Sequence, residues 1–216
     1  MAATSKIVDL RKLLAERFPQ PFTPPVHRLA TGLPAIDEAI GGGLPKSAIT
    51  ELSSPKMSAG SALLLYALLQ SAQRDGHFLA LVDGRDSFDP QPLGNERLRN
   101  LLWVRCTKAL DAVKAADLLL RDGNFTLVVL DLVLNASDEL RKIPQTSWYR
   151  LQRLVETAPA AFLVLTRASI ISSAQLKLSL DNAWTLADLE QDHLPARLKV
   201  LVQRTQGGRQ ASAGTG

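Results

Sequence analysis

Residues 53–65 read SSPKMSAGSALLL, follow the short run ITEL and open an apolar pattern of helical period. Strand, turn-rich loop and helix in that order are the frame of a phosphate loop, G-x-x-x-x-G-K-[ST]. Its glycines let backbone N–H groups curl around phosphates, its lysine reaches the terminal ones and its hydroxyl binds magnesium at the helix start. On that spacing Ser54 stands at the first glycine, Ala59 at the second, Gly60 at the lysine and Ser61 at the hydroxyl. Only the hydroxyl is kept. Lys56 lies inside the loop but four residues before the lysine position, so it would approach a phosphate from another direction. The expectation is a degenerate loop that holds no cofactor. His27, His77 and His193 are far apart, and no cluster at ligand spacing surrounds them, so no metal site is expected either.

The elements around the loop follow from periodicity. Apolar runs near 48–52, 78–82, 101–105, 126–131 and 161–166 read as strands, with helices near 61–74, 109–121 and 147–157 between them. That alternation predicts an α/β fold of three layers, α/β/α, around a mainly parallel central sheet. The strands near 126 and 161 are continuous apolar runs, as strands covered on both faces should be. Segments near 183–189 and 197–204 alternate instead, and are expected to extend the sheet as antiparallel edge strands on its C-terminal side. Residues 4–17 place Ile7, Leu10 and Leu14, then Phe18, on one stripe at helical spacing. FPQPFTPP follows, and its prolines impose extended or turn conformations. The chain therefore divides into an N-terminal helix and linker over 1–28, a core over 29–206 and a disordered tail over 207–216.

At 216 residues the core can bury about 70% of the unfolded chain's surface. The apolar runs stop short of the roughly 20 residues that cross a bilayer. The N-terminus has scattered charge and no secretory pattern, so a cytoplasmic protein is expected. Cys106 is the single cysteine, which excludes an internal disulfide, and its place at the end of LLWVRC reads as packing. The net charge of +4 favours a polyanion without requiring one. Cations gather in the later half: Arg141, Lys142, Arg150, Arg153 and Arg167 are the candidate DNA contacts, with Lys177, Arg197, Lys199, Arg204 and Arg209 beyond them. A solvated surface with interspersed acids is the competing account. Trp148 and Tyr149, beside Arg150, could stack on bases or pack against the sheet.

The order of pieces resembles the RecA-like ATPase core from about residue 29 to 205. LATGLPAIDEAIGGGLPKSAITEL is similar to that family's approach to the phosphate-loop strand, in which a short helix and a glycine turn (Gly41, Gly42, Gly43) precede the strand. SAQRDGHFLALVDGRDSFDP resembles the next helix and strand, with Asp83 at the strand end and Asp89-Pro90 downstream, and LVVLDLV resembles the magnesium-binding strand ending in Asp131. The resemblance implies a glutamate to polarise the attacking water, but Arg85 occupies its place, and arginine accepts no proton. Asp83 and Asp131 are either residual magnesium ligands or turn and cap residues. The resemblance also implies two long DNA-holding loops, here cut to NASDELRKIPQT and RASIISS.

Among branches of the family the chain looks most like ImuA, an accessory of SOS mutagenesis. That likeness implies a non-catalytic scaffold for translesion synthesis whose partners are an ImuB-type polymerase homologue, the RecA filament or a second copy, with DNA also a candidate and no membrane or small-molecule substrate. Ile7, Leu10, Leu14, Phe18 and Phe22 are the candidate partner-binding residues, since an amphipathic helix laid into a groove is an ordinary recognition mode. Folding back on its own domain is the alternative for that stripe. Two other functions compete: a SulA-type cell-division inhibitor, and a weak DNA-stimulated ATPase or recombination mediator.

Overall fold

A computed structural model describes residues 27–56, 59–185, 188 and 197–205. The expected helix at 4–17, the linker up to residue 26 and the tail at 207–216 lie outside the described residues, as do the apolar stripe Ile7, Leu10, Leu14 and Phe18 and the neighbouring Phe22. The strands are β1 (Arg28–Leu29), β2 (Leu44–Pro45), β3 (Ile49–Ser53), β4 (Leu79–Asp83), β5 (Leu101–Arg105), β6 (Leu127–Asp131), β7 (Ala161–Thr166), β8 (Leu176–Leu180) and β9 (Val200–Thr205). The helices are α1 (Pro34–Ala39), α2 (Ser61–Arg74), α3 (Gly94–Leu98), α4 (Ala109–Asp122), α5 (Ser137–Arg141) and α6 (Gln145–Thr157).

Seven strands form one sheet in the order β5-β4-β6-β7-β3-β8-β9, and β1 pairs separately with β2. Every neighbouring pair in the large sheet is parallel except β8 with β9. The three strands β4, β6 and β7 are covered on both faces, which is why their sequences are unbroken apolar runs. On one face Leu64, Leu65, Leu68 and Leu69 of α2 pack with Leu52, Leu81, Val129 and Leu163. On the other, Ala109, Ala112, Val113, Ala116 and Leu120 recur at helical spacing along α4 and meet Val82, Val128 and Leu130. Trp148, Leu151 and Val155 of α6 complete that layer. The expected α/β/α architecture is therefore present. The helix at 61–74 is found at those bounds, and the other two gain one or two residues at their ends.

One strand differs from expectation. Residues 183–185 are not in a strand, and residues 176–180 are, parallel to β3. A parallel crossover ordinarily takes a dozen or more residues and a helix. Here residues 167–175 alone carry the chain from β7 across β3 to β8, so LKLSL sits closer to β7 than spacing suggests. The expected 197–204 strand is β9, antiparallel to β8.

The short crossover is held by Glu51, in the middle of β3. Its carboxylate is 1% exposed and accepts hydrogen bonds from the Ile170 N–H (2.6 Å), the Ile171 N–H (3.0 Å) and the Ser169 hydroxyl (2.8 Å). Lys177 of β8 pairs with it at 3.2 Å. A buried charge persists only when paired and fully hydrogen-bonded, and this one satisfies backbone donors that no helix serves. Glu51→Ala leaves those backbone donors without their acceptor and leaves the largely buried Lys177 ammonium with only the Ser169 hydroxyl. The variant should lose about 3–5 kcal/mol in urea denaturation, and adding Lys177→Met should restore part of that loss.

Candidate functional site

The loop that begins at Ser54 leaves the sheet where β3 ends. The Ser54 N–H donates to the Thr166 carbonyl at 2.8 Å, extending the β3 to β7 pairing by one residue. Lys56 pairs with Asp181, just after β8, at 2.6 Å. Ala59 is buried and its carbonyl accepts from the Asn182 side chain at 3.1 Å. Gly60 caps α2 at φ +105°, a conformation that favours glycine. A Cβ at that position would lie 2.7 Å from Leu198 Cδ1 and 3.2 Å from the Trp184 ring. The position that would carry the lysine is thus a bare backbone seat under an indole and a leucine. Ser61 opens α2, half-buried.

The two strand-end acids are neighbours, since Asp83 and Asp131 are register partners of β4 and β6. Asp83 is 1% exposed and accepts from the N–H groups of Arg85 (3.1 Å), Ser87 (2.7 Å) and Phe88 (2.8 Å) and from the Ser87 hydroxyl. It therefore builds the turn after β4. Asp131 accepts from the Val133 N–H at 3.0 Å. Burial, and then the charge of Asp83, push its carboxyl up to about 6, against the pull of the Val133 bond. Gly84 lies between the two strand ends, where an added Cβ would stand 2.5 Å from Asn135 Oδ1 and 2.8 Å from the Asp131 carbonyl. Asn135 donates to the Gly84 carbonyl and to Glu139, whose other oxygen takes the Ala109 N–H that begins α4.

The RecA N-terminal domain family matches residues 17–142, a span that includes the loop and both acids. The chain belongs to that family. It is 34% identical over 113 residues to the RecA protein of Frankia alni, covering 51% of this chain and 32% of that one. Against the RecA of Clavibacter michiganensis it is 37% identical over 113 residues, covering 50% and 31%. The RecA of Chlorobaculum parvum gives 35% over 112 residues, covering 50% and 32%. The match spans about a third of the length of these relatives.

In this RecA-family chain Arg85 is exposed, and its guanidinium donates to the Thr107 carbonyl at 3.3 Å. Next to it Asp86, at φ +55°, holds Arg105 through both carboxylate oxygens (2.5 and 2.7 Å), and Arg105 in turn lies over the Trp103 ring. The candidate DNA-contacting cations occupy separate elements. Arg141 ends α5 and pairs with Asp138, with Lys142 beside it. Arg150 on α6 donates to Asp117 of α4 at 2.6 Å, and Arg121 shares that acid at 2.9 Å, so Arg150 staples two helices together. Arg153 lies further along α6 and is exposed; Arg167 follows β7. Trp148 is 1% exposed and belongs to the core, whereas Tyr149 is 51% exposed and reaches solvent. Cys106 is partly buried, and burial raises its thiol. Sequence reasoning missed Asn182, Trp184 and Leu198 as partners of the loop, and Glu51 as the anchor of the crossover. Each acts across more than a hundred residues, and no local spacing marks it. Among the described residues no group of three or more His, Cys, Asp or Glu side chains could hold a metal ion, and no helix is long and apolar enough to cross a membrane.

Because the folded protein raises the Asp131 pKa above its unfolded value, the group's contribution is fully present below about pH 4 and is lost as pH rises through about 6. Asp131→Asn keeps the acceptor for Val133 and removes the charge. It should be about 1–3 kcal/mol more stable than the parent at pH 7, with the gap closing toward pH 4 in denaturation series. Gly84→Ala should destabilise by about 1–3 kcal/mol in the same assay, because backbone as well as the Asn135 side chain would have to move.

Proposed function

We propose that this chain is a non-catalytic accessory of the RecA family that serves the DNA-damage response through the proteins it binds. The observation that carries the reading is the seat at Gly60. The position of the phosphate-reaching lysine has no side chain, and Trp184 and Leu198 lie against it. Arg85, where active members of the family resembled here place the water-polarising glutamate, cannot act as a base. Each such group supplies several kcal/mol to phosphoryl transfer, so losing both leaves a frame without its chemistry. The crossover at 167–175, which stands where a recombinase has a long DNA-holding loop, is short and tied to Glu51. A fold kept under those conditions is kept for its surfaces.

The finer assignment, by resemblance, is the ImuA role: a scaffold in error-prone translesion synthesis that joins an ImuB-type polymerase homologue to the RecA filament. ATP turnover should equal the buffer blank with and without single-stranded DNA. Turnover above that blank, abolished by Asp131→Ala, would defeat the reading. Deleting residues 1–25 should remove capture of an ImuB-type polymerase homologue in a pull-down while the unfolding transition of the core persists. Capture that survives the deletion assigns the surface elsewhere.

A further inference from the structure

Without a bound phosphate, Ala59, Gly60 and the first turn of α2 need another anchor. The chain supplies one from the connection after β8. Asn182, 5% exposed, donates from its amide to the Ala59 carbonyl at 3.1 Å and to the Lys199 carbonyl at 3.3 Å, and its oxygen accepts the Lys199 N–H at 3.0 Å. One side chain therefore joins the loop to both sides of the connection between β8 and β9. The Asp181 N–H donates to the same Lys199 carbonyl at 3.1 Å. Leu198 is 4% exposed, and it and Trp184 are seated over Gly60 and packed into the core cluster of α2. Lys56 closes the outer side by its pair with Asp181. That pair is half-exposed on both partners and is worth little alone. The buried amide and the apolar contact carry the attachment.

We propose that Asn182, Trp184 and Leu198 form an intramolecular latch that holds the degenerate loop and the first turn of α2 in place of a nucleotide. This rests on the non-catalytic reading, since a loop that must admit and release a triphosphate has to open at Gly60, where the latch sits. It also explains the glycine. At φ +105°, with a Cβ 2.7 Å from Leu198 Cδ1 and 3.2 Å from the indole, any side chain at position 60 would press into the latch before reaching a phosphate. The substitution that removes the lysine is the one that makes room for the latch. Because Asn182 spans the ends of β8 and β9, the order of the loop is coupled to the edge of the sheet and is independent of ligand.

The test is amide hydrogen exchange on the full chain, with and without magnesium ATP. In the parent protein protection of residues 59–64 should be unchanged by the nucleotide. Asn182→Ala and Trp184→Ala should each speed exchange at residues 59–64 by about tenfold and leave β4 and β6 at the parental rate. Parental exchange in both variants overturns the latch and leaves the non-catalytic reading standing. Protection of the parental loop by nucleotide without turnover also overturns the latch, and protection with turnover removes both proposals. Should those variants fail to fold, a double-mutant cycle decides: Gly60→Ala should destabilise less in a Leu198→Ala background than in the parent, and equal effects overturn the proposal.

Discussion

A carboxylate buried under a backbone crossing is the constraint on which one half of this sheet depends. The chain must pass from β7 over β3 to reach β8, and it does so without a helix to satisfy its own N–H groups. Peptide donors left without partners away from water would cost about as much as the contacts made there supply. Glu51 removes that cost for Ile170 and Ile171 and binds Lys177 on the far strand, so one residue of β3 fixes the position of both its later neighbours. The charge is affordable because the ammonium and three hydrogen bonds surround it. With β8 so placed, β9 folds back against it and the sheet gains its single antiparallel pair.

The same arrangement decides what the loop after β3 can meet. β3 lies between β7 and β8, so the loop emerges beside the connection that follows β8. That connection delivers Asn182 and Trp184 to Ala59 and Gly60. On the other side of the site the retained acids have unequal surroundings. Asp83 is saturated with donors from its own turn, while Asp131 has one bond and a charged neighbour. Burial, with the neighbouring Asp83 adding to it, holds the Asp131 carboxyl above the usual carboxylate range, and the single Val133 bond does not offset it. Asp83 builds the turn after β4 through its own bonds, and Asp131 is left with the less favourable surroundings of the two.

Much of this was legible in the residues. Continuous apolar runs identified β6 and β7 because burial on both faces removes alternation, and helical spacing placed α2, α4 and α6 to within one or two residues. The glycine turn at 41–43 was readable too, and all three glycines have positive φ. β8 was not legible. Leu176, Leu178 and Leu180 alternate as a strand should, but the crossover before them is shorter than parallel pairing normally tolerates, and its support comes from Glu51, far back in the chain. Trp184 was expected in a strand because the segment at 183–189 alternates, whereas its ring lies against Gly60. In the site, spacing alone put Gly60 at the lysine position of the motif, and only the resemblance to the RecA-like core put Arg85 at the position of the glutamate. What fills the vacated space was not legible, since it depends on contacts across more than a hundred residues.

Loops that bind and release ligands are drawn from the least stable parts of a fold, because opening has to be cheap. In this protein the corresponding segments are fastened by groups that are costly to expose: a carboxylate with four partners under the crossover, and an amide that joins loop and sheet edge. Each fastening raises the free energy of local opening. The balance favours a fixed outline over a moving one. A partner that recognises such an outline meets a surface already ordered, and does not have to supply the free energy of ordering it.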